Sequence, residues 1–256
     1  MTLACAKLTL AVPGRTLCRD LSLNIEPGQV WGVLGANGSG KSTLLHALAG
    51  LTHAASGTVT LGGVALATLQ AKSRALGVGV LMQHEEAEFH GSALDYVLLG
   101  RFPHAQGLAG WGRDDEASAL SAMERAGIAA FAQRQYATLS GGERQRVRMA
   151  QLIAQSPRYW LLDEPLQHLD LAHQVELMAL VTRTAKDEQR AVAMVLHDLI
   201  WPARVCTHVL LMFGGGNTSA GLVRDVLTRD NLEKLFGCAL QAIDDGNHTA
   251  GFVPAL

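Results

Sequence analysis

Apolar residues fall along the chain in short runs whose spacing separates strands from helices. Leu3–Val12 alternates loosely, and Leu21-Ser22-Leu23-Asn24-Ile25 alternates cleanly, the pattern of strands with one face buried. Pro13-Gly14 marks a turn between them, and Glu26-Pro27-Gly28 a turn after them. Four runs are apolar without interruption: Val30-Trp31-Gly32-Val33-Leu34, Tyr159–Leu162, residues 191–196 and residues 209–213. Such runs suit strands covered on both faces. Residues 77–82 form a further short strand, and Gly62-Gly63 between 58–61 and 64–66 predicts a hairpin. Helical spacing occupies 43–49, with Gly50 placed to end that helix. It recurs at 92–99, at 114–126 with three carboxylates in its first turn, at Leu171–Lys186 and at Arg229–Phe236. Polar residues 84–88 read as a loop, and 107–112 as a flexible glycine-bounded stretch holding Trp111.

Strands alternating with helices imply a mostly parallel, buried sheet. The strand-rich start implies an antiparallel β subdomain, and residues 89–156 a helical subdomain inserted into the α/β core. The expected division is therefore core at 1–88 and 157–256 around the insertion, all within one domain.

Composition adds limits. The 256 residues are 48% hydrophobic and 17% charged, enough for a sizeable core. A net charge of −2 gives no basic face for nucleic acid. Cys5, Cys18, Cys206 and Cys238 lie far apart with no CxxC pair, suggesting neither zinc nor a disulfide framework and fitting a reducing compartment. The start lacks a secretory pattern, and no apolar run is long enough for a bilayer span.

The sharpest chemistry follows the first buried strand. Gly35-Ala36-Asn37-Gly38-Ser39-Gly40-Lys41-Ser42 fits the phosphate-binding P-loop, in which backbone N–H groups converge on an anion at a helix N-terminus. Lys41 would reach the β- and γ-phosphates, and Ser42 would face Mg²⁺. A bare glycine-rich turn is the weaker alternative. Leu139-Ser140-Gly141-Gly142-Glu143 is locally a capping box, Ser140 with Glu143, before an amphipathic helix. Its two glycines cost helix stability by about 1 kcal/mol each relative to alanine. They suit either a plain helix start or a backbone that approaches a ligand closely.

Together these stretches make the chain resemble the ATP-binding cassette family over essentially its whole length. The P-loop, Gln83 as the Q-loop, Leu139 to Glu143 as the signature, and Tyr159 to Asp163 as Walker B stand in the family's order. Glu164, the D-loop at His168-Leu169-Asp170 and His197 as the switch histidine complete it. The resemblance implies a P-loop fold and an ATPase using ATP and Mg²⁺. Nucleotide would be bound by Gly35, Asn37, Gly38, Ser39, Gly40, Lys41, Ser42, Thr43 and Arg15. Ser140, Gly141, Gly142 and Asp170 would contribute across a head-to-tail homodimer. Ser42, Gln83 and Asp163 would hold the metal; Glu164, as general base, with His197 and Gln83 would serve hydrolysis. The family often stacks an aromatic residue on adenine where this chain has Val12, which implies either weaker stacking or stacking supplied by the guanidinium plane of Arg15.

Leu99-Gly100-Arg101-Phe102-Pro103-His104 and Leu169-Asp170-Leu171-Ala172-His173-Gln174 are similar to import ATPases for ferric siderophores, haem and cobalamin. That implies integral-membrane permease subunits, an extracytoplasmic binding protein acting indirectly, and a peripheral place on the cytoplasmic face of the inner membrane. Phe89, Leu94, Tyr96 and Leu98 are candidate permease contacts, against a reading as core. The alternatives are a cassette of another transporter class, a P-loop kinase, which has no use for LSGGE, and a repair-type cassette, which needs coiled coils absent here.

Overall fold

The computed structural model describes residues 1–83, 89–105, 111–244, 246 and 249–255. In chain order it contains β1 (Leu3–Val12), β2 (Arg15–Ile25), β3 (Val30–Gly35), α1 (Lys41–Leu48), β4 (Ser56–Leu61), β5 (Val64–Ala65), α2 (Ala71–Gly77) and β6 (Val78–Leu81). Then come α3 (Ala93–Leu98), α4 (Arg113–Arg125), α5 (Gly141–Gln155), β7 (Tyr159–Leu162), α6 (Leu171–Lys186), β8 (Ala191–Val195), α7 (Trp201–Val205) and β9 (His208–Gly214). The chain ends with β10 (Asn217–Leu222), α8 (Val223–Val226), α9 (Arg229–Phe236), β11 (Leu240–Asp244) and β12 (Thr249–Pro254). The loop expected at 84–88 and most of the 107–112 stretch lie outside the described residues.

Two sheets carry the architecture. Strands β2-β1-β4-β5 form an antiparallel sheet, and β10-β9-β3-β8-β7-β6 a sheet that is parallel except for its β10 edge. The parallel strands are apolar throughout because alternate residues feed two cores. Trp31 and Val33 of β3, Tyr159 and Leu161 of β7, and Ala191, Ala193 and Val195 of β8 pack with α1 under the antiparallel sheet. Val30 and Leu34, Trp160 and Leu162, Val192 and Met194 pack on the opposite side with α3 to α6. Period two with both faces buried gives the uninterrupted runs.

The antiparallel sheet shows why β1 alternates only loosely. Its pairing with β2 shifts register after Cys5 and again after Leu8, and at the first of these the buried positions pass from Leu3 and Cys5 to Leu8 and Leu10. Strand β2 also starts earlier than its clean alternation predicts. Leu17 and Cys18 are both buried although adjacent, so the inward face changes there. The Gly62-Gly63 turn joins β4 to β5 with both residues at positive φ, 60° and 83°, the geometry of a tight hairpin turn.

Between β6 and β7 the described chain is helical, with α3, α4 and α5 packed together. Ser92 caps α3: its hydroxyl accepts from Asp95 N, and the Asp95 carboxylate accepts from Ser92 N. The apolar stripe expected to meet a permease is corrected here. Leu94, Tyr96 and Leu98 are buried in the core, and half-buried Phe89 lies edge-on to Tyr96 at 5.3 Å. Among the described residues of 89–156, the large exposed apolar groups are instead Leu120 and the pair Phe102 and Trp111, in edge-to-face contact at 5.2 Å.

Candidate functional site

Three parallel strands, β3, β7 and β8, release site residues at their carboxyl ends, and β6 runs out to Gln83. A crevice outside such ends is where ligands bind in open α/β sheets. Here it is a cleft of about 640 Å³ lined by Val12, Arg15, Leu17, Asn37, Gly38, Gly40, Lys41, Ser42, Thr43, Gln83, Glu164, Gln167 and His197. Gly35, Ser39 and Asp163 are buried, and Asp163 hydrogen-bonds Ser42 of the cleft wall.

The loop from β3 to α1 is set by close approaches. A Cβ on Gly35 would stand 2.5 Å from Ser39 Oγ and 2.8 Å from Met212 O. Gly40, the N-cap of α1, has φ 102°, and a Cβ there would meet the Leu17 side chain at 2.8 Å. Lys41 is buried and donates from Nζ to the carbonyls of Gly35 (2.9 Å) and Ala36 (3.1 Å). Burial lowers its pKa, while Glu164 and Asp163 pull it back up. The Ser39 hydroxyl is buried with no hydrogen-bond partner among the described residues. Arg15 donates from Nη2 to Gly38 O at 2.5 Å, so its guanidinium is engaged with the loop backbone.

Asp163 at the end of β7 is 1% exposed and accepts from Ser42 Oγ at 3.0 Å. Burial raises its pKa above the carboxylate range, opposed by that hydroxyl and by His46, whose Nε2 lies 4.0 Å from Oδ2. Glu164 follows with φ 51°, a left-handed conformation that turns its side chain into the cleft. Its carboxylate meets His197 Nε2 at 2.7 Å and accepts from Gln167 Nε2 at 3.3 Å. Gln167 was missed by the sequence reading, since a lone glutamine before the D-loop carries no periodicity.

Ser140, Gly141, Gly142 and Asp170 do not line this cleft. Ser140 caps α5 as the sequence predicts: its hydroxyl accepts from Glu143 N (3.3 Å), and Glu143 Oε2 accepts from Ser140 N (2.7 Å). Gly142 has a packing reason as well, for a Cβ there would stand 3.1 Å from His168 O, whereas one on Gly141 would make an ordinary contact with the His168 side chain at 3.4 Å. Asp170 caps α6, accepting from His173 N at 2.9 Å. Those bonds hold its carboxyl below the usual range. A second groove of about 730 Å³ shares Glu164, Gln167 and His197 with the cleft and is walled by Leu171 and Val175, both exposed.

Gln145 is another residue the sequence reading passed over. It is a buried amide on the inward side of α5, donating from Nε2 to Pro165 O at 2.9 Å. Arg148 donates to its Oε1 at 3.0 Å and also to Met82 O.

Residues 18–167 match the family described as ABC transporter. The chain is 40% identical over 249 residues to the hemin import ATP-binding protein HmuV of Bordetella pertussis, covering 93% of this chain and 92% of that one. It is 34% identical over 244 residues to the iron(3+)-hydroxamate import ATP-binding protein FhuC of Bacillus subtilis, covering 95% and 91%. Its fold matches an inward-facing structure assigned to the metal-chelate type of ABC transporter, with TM-score 0.86, 28% identity and coverage of 100% and 98%. It also matches the dimeric post-hydrolysis structure of the ATP-binding cassette MJ0796 bound to ADP and Pi, with TM-score 0.76, 25% identity and coverage of 88% and 99%. Fold, cleft and relatives agree, and the chain belongs to the ABC transporter family as one of its ATP-binding, ATP-hydrolysing cassettes.

Proposed function

We propose that the cleft binds ATP with Mg²⁺ and hydrolyses it to drive uptake of a metal chelate through a separate permease. The observation that carries this reading is the convergence on one cleft of buried Lys41, the Ser42–Asp163 pair and Glu164 held by His197. The loop N–H groups of Gly35, Asn37, Gly38, Ser39 and Gly40, with those of Lys41, Ser42 and Thr43, bind the phosphates. Arg15 and Val12 border the base.

The residues fit a divalent cation. Asp163 is a buried carboxylate whose nearest ion-pair partner among the described residues is His46 at 4.0 Å, and it stands beside a hydroxyl. A hard cation with oxygen ligands satisfies both. Ser42, Asp163 and Gln83 would hold Mg²⁺, which would supply neutralisation of the phosphate charge. Glu164 accepts the proton of the attacking water in line with the γ-phosphorus. His197, already fixing the Glu164 carboxylate, is placed to hydrogen-bond a γ-phosphate oxygen.

The remaining site residues act in a head-to-tail homodimer. Ser140, Gly141 and Gly142 complete the partner's nucleotide site, and Asp170 links the two. The exposed Leu171 and Val175 beside Glu164 give that face apolar area to bury. We take 1–88 and 157–256 as the α/β core and 89–156 as an inserted helical subdomain, whose exposed Phe102–Trp111 pair meets the permease. Among the described residues no helix is long and apolar enough to cross a membrane, so attachment to the cytoplasmic face of the inner membrane is through the permease. An extracytoplasmic binding protein delivers the cargo. The names of the relatives support hemin or a ferric hydroxamate as that cargo, with cobalamin as a further member of the class.

The test is Glu164→Gln. Turnover falls about 10²- to 10⁴-fold, while ATP affinity by titration stays near wild type and Mg²⁺-ATP shifts the variant to a dimer on size exclusion. Turnover within twofold of wild type removes Glu164 from the role of base.

A further inference from the structure

We propose that Gln145 and Arg148 are positioning residues that couple the two nucleotide sites, by tying the helix behind the signature turn to the turns that carry Glu164 and Gln83. The inference rests on the reading of the cleft as an ATPase site. Helix α5 begins at Ser140, Gly141 and Gly142, which complete the partner's site. One turn further along the same helix, Gln145 donates to Pro165 O at 2.9 Å, directly after Glu164. Its Oε1 accepts from Arg148 Nη1 at 3.0 Å, and Arg148 Nη2 donates to Met82 O, directly before Gln83. Three motif segments distant in sequence meet in one hydrogen-bonded bridge.

Packing alone does not call for such a bridge. The inward face of α5 is otherwise apolar, with Val147, Met149, Ala150, Leu152 and Ile153 buried. Gln145 is 5% exposed, and an amide buried there costs stability unless its hydrogen bonds are made. What it stabilises is an unusual turn. Glu164 has φ 51°, a left-handed conformation that is strained for a non-glycine residue. It therefore persists only where neighbours hold it. Asp163 N on Leu81 O (2.8 Å), Gln167 N on Glu164 O (3.1 Å) and Gln145 on Pro165 O are those holds. Of the three, only the last comes from the signature helix. A shift of α5 as the partner's nucleotide docks therefore moves Pro165 and Met82, and with them the hydrolytic carboxylate and the Q-loop of the same chain.

The test compares wild type with Gln145→Met, Gln145→Glu and Arg148→Met on the full chain, reading kcat, the Hill coefficient for ATP, affinity for a non-hydrolysable ATP analogue, and thermal unfolding. Displacing a reacting group by about 1 Å can cost 10²-fold. The expected result for Gln145→Met is a kcat lower by about tenfold or more, analogue affinity within twofold, and a Hill coefficient moved to 1. Gln145→Glu keeps the acceptor for Arg148 but has no N–H for Pro165 O, so it behaves as Gln145→Met does. A folded Gln145→Met protein with kcat within twofold of wild type overturns the proposal. So does one in which kcat and analogue affinity fall in proportion. If Gln145→Met does not fold, Arg148→Met, at a half-buried position, decides by the same criteria. Wild type measured alongside separates the two readings, since a wild type without ATPase activity overturns the cleft assignment beneath.

Discussion

Gly40→Ala tests how tightly the phosphate loop is built, and its magnitude follows from two observations. At φ 102° an alanine is strained by roughly 1–2 kcal/mol. Its Cβ would stand 2.8 Å from Leu17 Cβ and 3.0 Å from Leu17 Cδ1, an overlap of the kind that costs about 1–3 kcal/mol in a packed core. The sum is about 2–5 kcal/mol, which for a chain of this size lowers Tm by roughly 4–20 °C at about 2–4 °C per kcal/mol. A double-mutant cycle with Leu17→Ala isolates the part of the overlap made beyond the Leu17 Cβ. Leu17→Ala alone costs about 2–5 kcal/mol, since Leu17 is 2% exposed. In the Gly40→Ala, Leu17→Ala pair the overlap with Leu17 Cγ and Cδ1 disappears, while the 2.8 Å approach to the Cβ at position 17 and the backbone strain stay. The pair is therefore less destabilised than the sum of the single changes, by only part of the overlap of about 1–3 kcal/mol. Thermal unfolding followed by circular dichroism without nucleotide reads all four proteins. A Gly40→Ala Tm within about 1 °C of wild type, or strict additivity in the cycle, refutes the geometry argued for this loop.

Two further outcomes follow from the cleft. Because burial raises the Asp163 pKa, the ligand-free fold is favoured below the unfolded carboxylate range, about pH 4. It loses stability as pH rises through the higher folded value. Asp163→Asn removes that loss, so it raises Tm at pH 7 and flattens the pH profile while abolishing turnover; a Tm below wild type at pH 7 contradicts this. Val12, exposed on the cleft wall, offers no aromatic face, and Val12→Tyr tightens ATP binding by stacking worth about 1–3 kcal/mol, roughly 5- to 150-fold. Equilibrium binding of inorganic triphosphate is the control, and an equal gain there shows that stacking is not the cause.

How much of this was legible in the sequence varied with how each segment earns its burial. Strands β3, β7, β8 and β9 stood out because both faces are covered. The P-loop stood out because close backbone approaches admit so few residues. Strand β10 escaped notice as a sheet edge: Asn217-Thr218-Ser219-Ala220-Gly221-Leu222 pairs antiparallel with β9 through its backbone and buries no residue fully. Helix α2 likewise buries none, so no apolar stripe announced it. The β11–β12 hairpin holds Leu240 and Phe252 in the core, two anchors too sparse to form a pattern. The stripe at 94–98 was legible as a stripe, but its destination was not, for periodicity shows that a face is apolar and not what covers it. Gln145 and Gln167 act through single amide hydrogen bonds, and only folding shows what such an amide reaches.

The two-sided burial of β7 has a consequence for how this chain can fail. In a strand with one wet face, a slip of one residue throws apolar groups into water and is rejected at once. Here Tyr159 and Leu161 face one core, Trp160 and Leu162 the other, and a slipped strand still offers oil to both sides. What the slip destroys is downstream. Asp163 would be displaced by one residue rise, roughly 3.3 Å, and turned to the opposite face, away from the Ser42 hydroxyl it now meets at 3.0 Å. Such a variant would keep most of its apolar burial, express well and hydrolyse nothing. A screen for soluble protein would pass it, and only a screen for phosphate release would find it.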